Sequence, residues 1–150
     1  MRWWLIAVVF VICVAWVRGC TESNEALKQA AIAEQSGDLT RAIEQYQYAA
    51  RWYTPGSSSP PEAVASLIRI GRNAEAQGEH QLALMAWRRL RGAILATRGI
   101  TTPLGEHLDL ANTRLASLMA DQQLREGGAT VRGRSRDQLV EDHLALLRLD

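Results

Sequence analysis

The sequence predicts an all-α protein: two helical hairpins of one repeated type, capping helices C-terminal to them, and an apolar helix at the N-terminus. Three observations carry this. A pattern of glycine, acid, small residue and aromatic occurs twice, beginning at Gly37 and at Gly78. Apolar residues recur at spacings of three and four, as one face of a helix requires. Alternating apolar and polar runs bounded by turn residues, the mark of strands, are absent.

The first element is an address. Residues 3–17 read WWLIAVVFVICVAWV, without one polar side chain, with Arg2 before and Arg18 after. As a helix this run is about 22 Å long at ~1.5 Å per residue, short of the roughly 30 Å of a hydrocarbon core. Its length is that of a signal-peptide core. Trp3, Trp4 and Trp16 stand at its ends, where indoles favour the lipid–water interface. Three readings follow. Val17-Arg18-Gly19-Cys20 resembles a bacterial lipobox, which makes Cys20 a lipidation candidate, although Arg18 departs from that pattern. The run is alternatively an uncleaved signal anchor, or a cleaved signal without a clear A-x-A site. The first two leave residues 21–150 tethered to a membrane, and they imply a bacterial inner membrane with a periplasmic domain, or a lipoprotein.

The repeat supplies the next four helices. Gly37, Asp38, Ala42 and Tyr46 are matched by Gly78, Glu79, Ala83 and Trp87, with Ala42 and Ala83 standing 41 residues apart. The small residues let two antiparallel helices approach, the aromatics fill the space beyond, and each glycine allows the reversal between helices. Helices are expected over 24–36, 39–53, 61–77 and 80–98. Ser59-Pro60-Pro61-Glu62 reads as a capping box with proline at the first helical position.

These residues resemble the tetratricopeptide (TPR) family. Its second helix opens G-D-x-x-x-A-I-x-x-Y, as residues 37–46 do, and closes near a proline, here Pro55. Leu67, Ile70, Gly71 and Ala74 fit its first-helix pattern, and Ala26, Ala30 and Ala33 fit it more loosely. The resemblance covers about residues 24–98. The family period is 34 residues against 41 here, and the excess falls in Gly56-Ser57-Ser58-Ser59-Pro60. The segments AILATRG and HLALLRLD further resemble those of small membrane-anchored bacterial envelope proteins. The resemblance implies a groove lined by first helices that binds a protein or peptide.

Two such hairpins rarely suffice alone. A helix over 104–126, with Leu108, Ala111, Leu115, Leu118 and Met119 on one stripe, is expected to cover them. Ser135-Arg136-Asp137-Gln138 is a second capping box and opens a helix over 136–148, free either to pack on the bundle or to dock elsewhere. The organisation is thus a signal or anchor at 1–20, a repeat domain at 21–126, a Gly/Arg linker at 127–135 and a C-terminal amphipathic helix at 136–150.

Composition excludes several functions. There are 17 basic and 16 acidic side chains; without Arg2 and Arg18 the balance is 15 to 16, which gives no drive toward nucleic acid. The two cysteines, Cys13 and Cys20, and the three scattered histidines form no metal-ligand spacing, and no cofactor motif is present. No nucleophile or phosphate-loop motif appears, so no enzyme, catalytic residue or small-molecule substrate is expected.

The groove geometry implied by the resemblance points Lys28, Glu34, Arg69, Arg72 and Glu75 toward a partner. Arginine forks bind carboxylates bidentately, which suits Arg69 and Arg72 to that task. Trp52 and Tyr53, beside the Ser/Pro-rich turn, suit an aromatic anchor. Arg88, Arg89, Arg91 and Arg98, and Arg125, Arg132, Arg134 and Arg136, form two clusters that are solvated charge or contacts to anionic headgroups. The expected function is a membrane-anchored interaction adaptor. The alternatives are a structural subunit of a larger membrane complex and a lipoprotein assisting envelope assembly.

Overall fold

A computed structural model describes residues 2–52, 57–97, 104–127 and 133–149; within the first helix it describes side chains other than those of Arg2, Leu5, Ile12, Cys13, Ala15, Trp16, Val17, Gly19 and Cys20. The elements are α1 (Arg2–Gln35), α2 (Leu39–Arg51), α3 (Ser59–Gln77), α4 (His80–Ala96), a 3-10 turn (Gly105–His107), α5 (Leu108–Glu126) and α6 (Arg136–Arg148). No strand occurs among the described residues. The chain forms two compact units, Met1–Ser66 and Leu67–Asp150, which divide inside α3.

In the first unit α1 is one helix of 34 residues. The expected break between an address ending at residue 20 and a helix starting at 24 is absent. No proline interrupts the chain there, and a single glycine, Gly19, costs only about 1 kcal/mol, too little to end a helix that both neighbouring stretches favour. Below the apolar run, α1 packs on α2 through Ala26, Ala30 and Ala33, facing Ala42, Ile43, Tyr46, Ala49 and Ala50, all buried. The buried Ser23 hydroxyl donates to the Ala49 carbonyl at 3.1 Å, pinning the far end of the hairpin.

The turn between them is a left-handed glycine cap. Gly37 has φ of 81°. The Asp38 N–H bonds the Ala33 carbonyl at 2.9 Å and the Gly37 N–H bonds that of Glu34 at 3.0 Å, the two reverse bonds of a Schellman motif. Asp38 then opens α2 by accepting from the Arg41 N–H at 3.0 Å. α2 ends at Arg51, two residues earlier than expected.

The same turn recurs in the second unit. Gly78 has φ of 73°, Glu79 N–H bonds Ala74 at 2.8 Å and Gly78 N–H bonds Glu75 at 3.1 Å. The buried positions repeat at the same 41-residue offset: Ala74, Ala83, Leu84, Trp87 and Leu90 take the places of Ala33, Ala42, Ile43, Tyr46 and Ala49. Behind α4, α5 buries Ala111, Leu115, Ala116, Leu118 and Ala120, while α6 contributes Leu139. Arg91 ties three helices together, donating to Asn112 Oδ1 at 3.0 Å and to the Leu147 carbonyl at 2.8 Å.

Two capping expectations part company. Ser135 and Gln138 form the reciprocal box at the start of α6, as expected. The Ser59 box does not form: α3 begins at Ser59, the Glu62 N–H bonds the Ser58 carbonyl at 3.2 Å, and the Ser59 hydroxyl donates to Asn24 Oδ1 of α1 instead. A tertiary acceptor wins that hydroxyl from the local one.

Candidate functional site

The residues singled out from the sequence fall in different units. Lys28 is exposed on α1 in the first, whereas Arg69 and Arg72 are exposed on α3 in the second. Glu75 is half-buried and engaged: one carboxylate oxygen accepts from the Trp87 indole N–H, and the other pairs with Arg114 at 3.3 Å. Glu34 holds the equivalent place in the first unit and accepts from the Tyr46 hydroxyl at 2.8 Å. Each of these carboxylates therefore orients the ring that fills its own hairpin. Tyr53, Arg98 and Arg132 lie outside the described residues, and of Cys20 only the backbone, inside α1, is described.

Glu75 also lines a cleft of about 290 Å³ in the second unit, with Gly78, His80, Arg114, Ser117, Leu118, Asp121, Arg125 and Arg136. Arg136 crosses from α6 to α5, donating through Nε to Asp121 Oδ1 at 2.6 Å and through Nη2 to Ser117 Oγ at 2.7 Å. Its hydrogen bond holds the Asp121 carboxyl below the usual aspartate range, against the opposing effect of burial. His80 Nε2 is buried and makes no hydrogen bond among the described residues. Three arginines and two acids share this wall, so the cleft is polar and close to charge balance. The arginine cluster around residue 136 is thus not a free basic patch: Arg136 holds Asp121, and Arg134 pairs with Asp142 at 3.0 Å. The sequence reading missed Arg114, Ser117 and Asp121, because a single apolar stripe on α5 gave no sign of what its polar side would meet.

A second surface belongs to the first unit and is apolar. Trp3 and Trp4 are 89% and 80% exposed, and Ile6, Val8, Val9, Phe10, Val11 and Val14 are exposed with them. Large apolar side chains on one contiguous stretch of helix are rare in isolated soluble domains. Among the described residues no helix is long and apolar enough to cross a membrane. Farther along, Tyr48 and Trp52 form an edge-to-face pair with ring centres 6.1 Å apart, and both stay exposed, at 43% and 40%. The structure brings no three potential metal ligands together among the described residues.

Comparison with protein-family models, curated proteins and solved structures gives no match.

Proposed function

We propose that the chain is a membrane-attached interaction adaptor, with a TPR-like pair of helical hairpins presented at a lipid surface through the apolar stretch of α1. The observation that carries this reading is the exposure of Trp3, Trp4, Ile6, Val8, Val9, Phe10, Val11 and Val14 on a helix continuous with the packed hairpin. Burying each such side chain is worth ~1.5–3 kcal/mol, which makes open water the least favourable surrounding for this stretch. Tryptophan at its start and arginine on both flanks suit a lipid–water boundary. The 41-residue repeat, with its matched glycine caps and ring-to-carboxylate bonds, supports the hairpin pair. The exposed Lys28, Arg69 and Arg72 supply the charge a partner would read.

Flotation of the full-length protein with phospholipid vesicles tests the attachment. The wild type is expected to rise with the lipid, and Val9→Asp with Phe10→Asp to stay behind. A wild type that remains monomeric in the lipid-free fraction contradicts the reading. For the partner, mass spectrometry of material co-purified with the full-length protein from native membranes is compared with Arg69→Glu, Arg72→Glu. A protein lost only with the charge reversal supports the adaptor. One retained by that variant, and lost when residues 1–19 are exchanged for an unrelated anchor, supports the subunit alternative instead. Lipidation at Cys20 requires α1 to be cut within one of its helical turns, and a mass shift abolished by Cys20→Ser would establish it.

A further inference from the structure

We propose that the free end of the first hairpin is itself a lipid-interface seat, in which Trp52, flanked by Arg18 and Arg51 and backed by the Tyr48 ring, lies in the headgroup layer. The inference rests on the membrane attachment proposed above and says where the folded domain sits once attached.

The geometry lies within the first unit. α1 and α2 run antiparallel from the Gly37 cap, and Ser23 is held against Ala49 at the other end of the hairpin. Three residues past Ala49, at ~1.5 Å each, Trp52 lies about 5 Å nearer the apolar stretch than Ser23. Ser23 in turn lies six residues past Val17, or ~9 Å along the helix. The Trp52 indole therefore falls about 4 Å beyond the last apolar residue. The polar layer on each side of a bilayer is roughly 5–8 Å deep, from the difference between total and hydrocarbon thickness. Trp52 falls inside it, and Tyr48, one turn or ~6 Å farther out, stands just past its outer edge with its ring against that of Trp52.

Continuity of α1 makes this placement binding. With no linker between the apolar stretch and the hairpin, the domain cannot stand off from the surface.

The chemistry of that end fits. Of the described rings on α2 and α4, Tyr46 and Trp87 are buried, while the exposed pair is the one beside the apolar stretch. Tyrosine and tryptophan combine an apolar body with a polar tip, as the interface requires. Arg18 and Arg51 are exposed and bracket Trp52 along the axis within ~5 Å of one another, and with Glu22 they leave one positive charge in excess, which favours anionic headgroups.

Fluorine NMR of the full-length protein, carrying 5-fluorotryptophan and reconstituted in phospholipid vesicles, tests the seat. The Trp52 line is assigned with Trp52→Phe, and a gadolinium-chelating headgroup lipid is the probe. The Trp52 line is expected to broaden strongly, more so in vesicles containing anionic phosphatidylglycerol than in zwitterionic ones, and Arg51→Glu should remove that difference. If the Trp3 and Trp4 lines respond to lipid while Trp52 does not, the seat is overturned and the attachment stands. If none responds, both fall. A Trp52 line that answers to protein dilution and ignores the gadolinium lipid overturns the seat in favour of contact with a second copy.

Discussion

The two hairpins are built to one plan and finished differently. Each turns through a left-handed glycine, each buries alanine on both sides of its helix contact, and each bonds its core ring to a carboxylate on the preceding helix. In the first the ring is Tyr46 and the small residue at position 30 is alanine. In the second the ring is the larger Trp87 and the matching residue is Gly71. A Cβ on Gly71 would come within 2.8 Å of the Trp87 ring, closer than carbon atoms tolerate. The exchange of alanine for glycine thus accompanies the exchange of tyrosine for tryptophan, and the pair must be read together. The surroundings differ as well. The second hairpin is covered by α5 and α6, whereas the first continues into a bare apolar helix. One repeat supplies bulk and a polar cleft, and the other carries the exposed apolar stretch.

The comparison breaks most severely at the rings. Trp87→Ala should cost about 3–5 kcal/mol, and Tyr46→Ala slightly less because the smaller ring leaves the smaller void; chemical denaturation measures both. Gly71→Ala should cost about 1–3 kcal/mol by overpacking. Adding Trp87→Tyr to it transplants the first hairpin's combination and should recover most of that loss. If the double variant is no better than the sum of the single changes, the two rings do not occupy equivalent seats. Gly37→Ala and Gly78→Ala should each cost ~1–2 kcal/mol, since both residues sit at positive φ. Unequal losses there would show that one turn is held by contacts the other lacks.

The smallest effect concerns the second unit alone. Because the folded-state value of Asp121 is lowered, the contribution of its contact with Arg136 is full above the ordinary aspartate value of about 3.9. It is lost as pH falls from there through the lowered value. Asp121→Asn should therefore lower stability slightly at neutral pH, where the contact is fully present, and flatten the acid side of the curve, so that the two proteins converge in strong acid. Melting curves between neutral pH and strong acid will show whether it does.

Much of this was legible in advance. The glycines at 37 and 78, the acids after them and the repeating alanines specify their structure through local rules, and the helices appear where those rules place them. The start of α6 was legible for the same reason, since a capping box closes on itself. What escaped was tertiary. Ser59 reads as a cap until Asn24 competes for its hydroxyl. Glu75 reads as a groove charge until Trp87 and Arg114 claim it. Arg136 reads as linker charge until Asp121 stands opposite. The continuity of α1 escaped for another reason: composition changes sharply after Val17, and a change of composition looks like a boundary even where the backbone has no cause to stop.

That continuity joins the apolar stretch to the folded hairpin, and amide hydrogen exchange across residues 15–26 of the full-length protein in lipid bilayers measures it most directly. A single helix predicts unbroken protection from the apolar run through Arg18 and Glu22 into Ala26. Fast exchange confined to residues 18–22, with protection on both sides, would show a hinge there and contradict the account.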